Sequence, residues 1–505
     1  MATKIPTEIL IKILNNVQSS HSTQDLYSSL LVNRIWCKIT IPILWELTLG
    51  QECCMDDEEL SKKALCIRTY ISCMDTRAKT LLTQNGFDLS SSLPQATFDY
   101  PSFTHKIIID NLVYFVSIYS QQIIGSDQDN YIITKSRILF REICKLIINR
   151  CKFLDSFKMA GVPKFSYNVL NHSDLIGSIL KLPSAPKVFK KLESFTSMIE
   201  DHESIYPLYK SLALICDNIL NIDLKFNTPY QIRLLARLIS VQKRLENLSV
   251  VTFSNQDYDS LLWAIISQKE TLKILRLKLV SYCQFEQKSS PIGQFTSLQE
   301  LYIEGSHSFH DSDCLYLTSS FTKLSSFHYF RSVYPYTRYP QEFIIKILET
   351  ANNNLKNIYL DIYPTITSDI FSTILNYCIK ITKLTLRNLS HEQVIAIFNN
   401  NFNELRRFSF DCGGEKEFDA NKLLCKMAEN IPESLETIEI RMIYGAPWIF
   451  SADSLRKLFE GWCCKGGRNK KVIIKRTEQT PLFILSDEHS KVIEEYGVQF
   501  DFKLY

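Results

Sequence analysis

Residues 272–279, LKILRLKL, alternate apolar and charged side chains within a Leu-x-x-Leu-x-Leu pattern. Leu275 and Leu277 fall on one side of an extended chain, and Arg276 and Lys278 fall on the other. This alternation predicts a short β-strand with one buried face and one exposed face. A single strand of this length is not stable alone, so other parts of the chain must cover its leucines.

The same pattern recurs through most of the sequence, with any large apolar residue allowed at the leucine positions. Successive first positions are 24 to 31 residues apart, and 26 is the commonest interval. Weaker matches lie near Leu154 and Leu192, and a closing strand is predicted from Val472. A spacing this even indicates a repeat protein. The clear first positions are Ile219, Leu245, Leu272, Leu298, Leu324, Leu355, Ile381, Leu405 and Leu435.

The segments between the strands have helical periodicity, as in residues 228–244, 368–380 and 451–462. Each repeat is therefore predicted to be a strand, a turn, a helix and a return. Stacked repeats give an α/β solenoid, with a parallel sheet on the concave side and helices on the convex side. The predicted limits are 151–480 for the solenoid and 481–505 for a C-terminal cap. Residues 49–150 fit either a helical linker or divergent early repeats.

This pattern resembles the leucine-rich-repeat family, in its longer helix-bearing variant with units of ~26 residues. The resemblance covers roughly residues 150 to 480. The Asn or Cys that usually follows the third leucine in that family is mostly missing from this chain.

The first 48 residues read as a separate module of three short helices. Its segment LLVNRIWCKITIPILWELTL, residues 30–49, places apolar side chains on more than one helix face. A module this small buries too little surface to be stable alone, and helices that are apolar nearly all round must be covered. Helices of a partner protein would cover them economically. The alternative is an ordinary capping bundle for the solenoid.

The module resembles the F-box, through IPTEIL at residues 5–10 and VNRIWCKITIPILW at 32–45. That resemblance implies docking on a Skp-type adaptor and, through it, on a cullin-RING ubiquitin ligase. Leu44, Leu47 and Leu49 also fit the repeat template, which predicts that the module shares residues with a first strand. The implied adaptor-binding residues are Ile5, Pro6, Ile9, Leu10, Ile13, Leu14, Leu31, Val32, Trp36, Pro42, Leu44 and Trp45.

Positions between the buried leucines of the strands are predicted to face the concave side, where a protein substrate would bind. Aromatic residues occur there in successive repeats, flanked by charges, which suits protein recognition. For each residue alone, the alternative is simple exposure to solvent. The predicted substrate-binding residues are Arg276, Lys278, Tyr302, Glu304, His328, Phe330, Tyr359, Asp361, Arg387, Asp411, Glu439 and Arg441.

Composition excludes several classes of function. A formal charge of +3 gives no electrostatic case for binding nucleic acid or a membrane surface. The most apolar stretch, from Lys106, is interrupted by Asp110 and Asn111, so we predict no membrane span. The fifteen cysteines lack disulfide-framework or zinc-ligand spacing, including the pairs Cys53-Cys54 and Cys463-Cys464. We therefore expect reduced thiols, no metal and no cofactor, in a cytoplasmic or nuclear protein.

The sequence contains no recognisable catalytic motif. The favoured interpretation is a non-catalytic substrate-recognition subunit of an SCF-type ubiquitin ligase, whose repeats bind a protein substrate. One alternative is a leucine-rich-repeat scaffold or inhibitor that acts without a ligase. A third, enzymatic interpretation would depend on one selectively reactive cysteine.

Overall fold

The computed structural model describes residues 5–19, 23–50, 62–89, 95–124, 129–159, 177, 179–198, 206–226, 228–252, 258–279, 295–305, 321–331, 340–362, 365–400, 402–411, 419–442, 448–463, 470–476 and 485–504. The chain divides into an N-terminal half, Met1–Leu245, and a C-terminal half, Glu246–Tyr505. Each half is described by itself. Cys53, Cys54 and Cys464 lie outside the described residues.

The N-terminal half begins with three helices, α1 (Thr7–Ser19), α2 (Thr23–Leu30) and α3 (Arg34–Gly50). Its strands, each parallel to the next, are β1 (Lys106–Ile108), β2 (Ser156–Met159), β3 (Ser194–Ser197) and β4 (Asn221–Phe226). The remaining helices within the described residues are α4 (Cys66–Ser72), α5 (Thr76–Gln84), α6 (Ile109–Ile124), α7 (Asp129–Arg150), α8 (Ala185–Phe189), α9 (Tyr206–Ile215) and α10 (Pro229–Ser240).

The C-terminal half contains a ten-stranded parallel sheet in sequence order. Its strands are β5 (Asn247–Thr252), β6 (Ile274–Leu279), β7 (Glu300–Gly305), β8 (Ser326–Arg331), β9 (Asn357–Asp361), β10 (Lys383–Leu386), β11 (Arg407–Asp411), β12 (Thr437–Met442), β13 (Lys471–Arg476) and β14 (Gln499–Leu504). Its described helices are α11 (Tyr258–Ser267), α12 (Gln341–Ala351), α13 (Ser368–Tyr377), α14 (His391–Asn399), α15 (Ala420–Glu429), α16 (Ala452–Cys463) and α17 (Asp487–Tyr496).

The apolar repeat positions form the core. All nine first positions of the template are buried, and so are the second and third positions of the same repeats. In-register pairing places Leu275 beside Leu301, and Leu301 beside Phe327, so equivalent side chains stack from repeat to repeat. Each such side chain stabilises the fold by roughly 1.5–3 kcal/mol relative to exposure. The predicted α/β repeat class with parallel strands is therefore confirmed.

Backbone hydrogen bonds tie each repeat to the next just before the strands. The carbonyl of Glu246 accepts from the amides of Lys273 and Ile274, at 2.7 and 3.0 Å. The carbonyl of Lys273 accepts from Gln299 and Glu300 in the same way, at 2.8 and 3.0 Å. At each junction this carbonyl ladder pairs one backbone carbonyl with two backbone amides of the next repeat. It continues at the carbonyls of Gln299, Ser325, Lys356, Thr382 and Arg406.

Buried side chains also hydrogen-bond to the preceding repeat. They are two thiols and one amide, each three residues before the first apolar position of its repeat. The thiol of Cys216 donates to the carbonyl of Phe189 at 3.2 Å, and Gln242 Nε2 donates to the carbonyl of Cys216 at 3.0 Å. The thiol of Cys378 contacts the Leu348 carbonyl at 3.9 Å. Burial raises the pKa of Cys216 and Cys378 to about 12, so both thiols keep their protons. The cysteines within the described ranges are all free thiols.

Two segments differ from what the template suggests. The prediction that residues 44–49 form part of a first strand is wrong, because α3 continues without a break to Gly50. The Leu-x-x-Leu spacing also fits one face of a helix, which explains the ambiguity. Residues 487–504 form one more helix and strand, and β14 pairs in parallel with β13.

Among the helices that the structure describes, none has the length and apolar character needed to cross a membrane. Within the same residues, no group of three or more His, Cys, Asp or Glu side chains is placed to hold a metal ion.

Gly461 lies where helix α16 packs closely against helix α15. A Cβ at this position in α16 would lie 2.3 Å from the Ala428 carbonyl oxygen of α15. Alanine improves helix propensity by about 1 kcal/mol, but overpacking against backbone costs about 1–3 kcal/mol. We therefore expect Gly461→Ala to lower the free energy of unfolding by up to about 2 kcal/mol in urea titrations. The exposed Lys457→Ala, in the same helix, is the control and should change it little.

Candidate functional sites

The three N-terminal helices enclose a small core of their own. Leu10 and Leu14 of α1, Leu26 of α2 and Ile43 of α3 are buried together. Trp36 and Leu44 pack against this core and remain half-buried. The predicted adaptor-binding residues Leu10 and Leu14 thus form the module's interior, so any docking surface must consist of other residues.

The start of α3 explains the Val-Asn-Arg-x-Trp motif. The Asn33 side-chain oxygen accepts from the amides of Ile35 and Trp36, at 2.9 and 3.0 Å, and so caps the helix. This cap fixes the turn between α2 and α3. Leu31 in that turn is 87% exposed, and Val32 and Ile35 beside it are also exposed. The capped turn therefore keeps these apolar side chains exposed to solvent.

The outer face of α1 is also apolar and exposed. Ile9 and Ile13 are one helical turn apart and face solvent, as does Ile5 before the helix. Of the predicted adaptor-binding residues, the exposed ones are Ile5, Pro6, Ile9, Ile13, Leu31 and Val32, and the half-buried ones are Trp36, Pro42, Leu44 and Trp45. Sequence reasoning missed Tyr27 and Ile35, which are exposed too.

Trp45 faces the rest of the N-terminal half. Its ring lies 5.6 Å from Tyr70 and 4.5 Å from Tyr100, centroid to centroid, and its Nε1 donates to the Tyr70 hydroxyl at 3.1 Å. Burial raises the pKa of Tyr70 far above its usual range, so this hydroxyl stays neutral. Trp45 therefore joins the module to the segment that follows it.

The end of α3 contacts the first strand directly. Glu46 forms an ion pair with Lys106 of β1 at 2.8 Å. A Cβ on Gly50 would lie 2.7 Å from the Cβ of Lys106, so only glycine permits this approach without a shift. The module is thereby fixed against the first repeats of the N-terminal half.

In the C-terminal half, the strand positions between the buried residues form two rows, here called the open face. The first row runs through Arg276, Tyr302, His328, Tyr359, Thr385, Ser409 and Glu439. The second row contains Lys278, Glu304, Phe330 and Asp361, and on the later strands Asp411, Arg441 and Lys475. Arg387 lies beside Asp361, since its amide donates to the Leu360 carbonyl at 3.0 Å. The two rows together with Arg387 contain all twelve predicted substrate-binding residues, of which Arg387, Asp411 and Glu439 are buried.

Four side chains in these rows form an aromatic ladder: Tyr302, His328, Phe330 and Tyr359. The His328 ring lies 4.2 Å from Tyr302 and 5.9 Å from Tyr359, with interplanar angles of 20° and 14°. Phe330 lies 4.4 Å from Tyr359. Burial lowers the pKa of His328 to about 4, so the ladder carries no charge at neutral pH.

Cations flank the ladder at both ends. The Arg276 guanidinium lies 4.7 Å from the Tyr302 ring centre, and the Arg387 guanidinium lies 5.7 Å from that of Tyr359. Arg276 also contacts Glu300 at 3.7 Å, and Lys278 pairs with Glu304 at 2.6 Å. The charges on this side of the ladder therefore largely neutralise each other.

Arg387 and Asp411 form a buried ion pair at 3.4 Å. The amide of Asn388 also donates to the Asp411 carboxylate. Burial raises the pKa of Asp411 to about 6, and Arg387 opposes this rise. A pair so deeply buried is a weak source of net stability, although removal of one partner alone would leave a buried charge unpaired.

A second group of charges, the Glu439 cluster, consists of Glu439, Arg407, Arg441 and Lys475. Glu439 is 2% exposed and contacts Arg407 Nη2 at 2.5 Å, Lys475 Nζ at 2.9 Å and Arg441 Nε at 3.4 Å. Burial alone would raise the pKa of Glu439, but hydrogen bonds from Lys475 and Arg407 outweigh it and lower the pKa to about 2. Three cations surround one carboxylate, and the carboxyl group of Asp361 also interacts electrostatically with Arg441, so the cluster keeps a net positive charge.

Sequence reasoning found Glu439, Arg441 and Arg276 but missed the partners Arg407 and Lys475 of Glu439 and the partner Glu300 of Arg276. Arg407 and Glu300 each precede the second apolar position of their repeats, where side chains also point to the open face. Lys475 lies on a strand outside the clear template. Extending the alternation by one position toward the start of each strand would have found Arg407 and Glu300. Applying it to the closing strand from Val472 would have found Lys475.

Comparison with known proteins assigns no family to the chain. No protein-family model matches the sequence, and no curated protein matches it. A solved structure with a similar chain is the crystal structure of the Rad7 and Elc1 complex from yeast, which is 13% identical. The alignment covers 77% of this chain and 86% of that chain, with a TM-score of 0.35. At this score the similarity assigns neither function nor partner.

Glu439→Gln tests the charge cluster. Because the folded-state pKa of about 2 lies below the ordinary value of 4.5, the carboxylate stabilises the fold fully above pH 4.5. That contribution is lost as the pH falls toward 2. We expect Glu439→Gln to lower the free energy of unfolding by about 2 kcal/mol at pH 7. This loss is smaller than for a fully buried pair because the cations reach solvent.

Urea unfolding at pH 7, 4, 3 and 2 measures this effect. The difference between wild type and Glu439→Gln should shrink progressively below pH 4.5. Glu304→Gln, which removes the exposed partner of Lys278, is the matched control and should cost less than about 1 kcal/mol at any pH. An equal deficit for Glu439→Gln at pH 7 and at pH 2 would contradict the assignment.

Proposed function

We propose that this protein is a non-catalytic substrate-recognition subunit of an SCF-type ubiquitin ligase. In this proposal the N-terminal module docks on a Skp-type adaptor, which connects it to a cullin-RING ligase. The repeats bind a protein substrate on the open face. The observation that carries the proposal is the set of exposed apolar side chains on a module whose own core is already closed.

The exposed residues are the right kind for a protein partner. Leu10, Leu14, Leu26 and Ile43 complete the module's core without Leu31, Val32 or Ile35. Side chains that add nothing to the core and yet expose apolar surface are typical of a contact with another chain. The F-box-like motifs at residues 5–10 and 32–45 supply exposed residues on α1 and at the α2–α3 turn.

The contacts at the end of α3 also favour this role. Trp45, Glu46 and Gly50 hold the module against Tyr70, Tyr100 and Lys106. These contacts would hold a docked adaptor in a fixed position relative to the first repeats of the N-terminal half. A module that merely capped the first repeats would need the inward contacts alone.

The double change Leu31→Asp and Ile35→Asp tests adaptor docking. Both side chains are exposed, so the module should remain folded while affinity for a purified Skp-type adaptor falls at least about 30-fold. Isothermal titration calorimetry measures the affinity, and thermal melting checks the fold. Leu214→Asp, at an exposed leucine of α9, is the matched control and should bind as the wild type does.

Normal adaptor binding by the double variant, with a wild-type melting temperature, would remove the basis for the proposal. A wild-type chain that binds no Skp-type adaptor would favour the alternative of a binding scaffold or inhibitor that acts without a ligase.

A further inference from the structure

The open face carries two chemically different areas on one sheet. The aromatic ladder lies on β7, β8 and β9, and the Glu439 cluster is centred on β12. The first area is neutral, and the second has excess positive charge. A ligand that covers both must therefore combine apolar and acidic groups.

The ladder presents ring edges to its ligand. Tyr302, His328 and Tyr359 stack across the strands with nearly parallel planes, so their faces are turned toward one another. Arg276 and Arg387 cover the faces at the two ends. Ring edges carry the positive end of the aromatic quadrupole and favour the face of another ring. The ladder thus suits an aromatic side chain better than an aliphatic one of equal size.

The Glu439 cluster is arranged to accept an anionic group. Glu439 contacts one nitrogen of each of its three cations and is itself buried, so it orients them without competing at the surface. The side chains of Arg407, Arg441 and Lys475 remain 43%, 17% and 21% exposed. Guanidinium groups bind carboxylates with directional, charge-assisted hydrogen bonds. The neighbouring carboxylate of Asp411 is already paired with Arg387.

The strand spacing sets the distance between the two areas. Three steps separate β9 from β12, which at ~4.8 Å each is about 14 Å. An extended peptide advances ~3.4 Å per residue, so this distance corresponds to about four residues. A peptide crossing the strands would place one side chain on the ladder and another, four residues away, on the cluster.

We propose that the open face binds an extended polypeptide segment carrying an aromatic side chain and, about four residues from it, acidic side chains. This names the substrate class and so rests on the proposed function. The net positive charge of the cluster suits acidic groups on the ligand.

Fluorescently labelled peptides test the proposal on the full chain. One peptide contains a tyrosine with two glutamates beginning four residues later in a Gly/Ser background, and a second has the reverse order. A third peptide lacks the tyrosine, a fourth lacks the glutamates, and a fifth places the glutamates next to the tyrosine. By fluorescence anisotropy, one of the first two should bind at least about tenfold more tightly than all the others.

Variants assign the contacts. Lys475→Ala should weaken the best peptide about fivefold and leave the glutamate-free peptide unaffected. Tyr359→Ala should weaken both, and Arg407→Gln provides a second cluster variant should Lys475→Ala prove unstable. Lys426→Ala, which removes an exposed cation of α15 paired with Glu429, is the matched control and should have no effect. Equal affinity for all peptides, or equal losses in Lys475→Ala and Lys426→Ala, would overturn the proposal.

The experiments distinguish failure of the ligase role from failure of the proposed substrate class. The Leu31→Asp and Ile35→Asp variant should bind the best peptide with wild-type affinity, because these residues lie in the N-terminal module. Peptide binding without adaptor binding would therefore reject the ligase role alone. Adaptor binding without peptide selectivity would reject the substrate class alone.

Discussion

In-register parallel pairing is the interaction on which both halves of the protein depend. Because side chains alternate along a strand, pairing in register brings Leu275, Leu301 and Phe327 together on one side. The same register places Arg276, Tyr302 and His328 side by side on the other. Core and binding surface are therefore produced by one geometric rule, and a shift of one residue would exchange them.

The two candidate surfaces use different physical chemistry. The N-terminal module offers apolar side chains, such as Leu31 and Ile35, that gain free energy whenever water is displaced. The open face offers side chains already engaged with one another, in ring stacks and ion pairs. Such prearranged groups lose little entropy on binding, and they favour selectivity over raw affinity.

Much of the architecture was predictable because the period and the alternation are properties of local sequence. The first positions from Ile219 to Leu435 are buried, and the open-face residues align in two rows. Contacts between distant segments were not predictable in this way. Nothing local to Trp45 indicates that it turns toward Tyr70, and nothing local to Leu10 and Leu14 distinguishes a closed core from a docking surface.

The charge clusters also depend on contacts between distant segments, which local sequence does not predict. The sequence predicts that Glu439 faces outward, but its burial depends on Arg407 and Lys475, which belong to two other repeats. The depressed pKa of Glu439 and the raised pKa of Asp411 arise from such long-range neighbours. Both carboxyl groups occupy similar strand positions, yet their surroundings shift them in opposite directions.

The carbonyl ladder before the strands has a consequence for how this chain can change over evolutionary time. Each rung uses only main-chain atoms, as between Glu246 and Lys273, so the residue types at these junctions are almost unconstrained. Mutations can accumulate there without unstacking the repeats. Relatives of such a chain should therefore remain recognisable by the spacing of their apolar residues even where pairwise sequence identity is low.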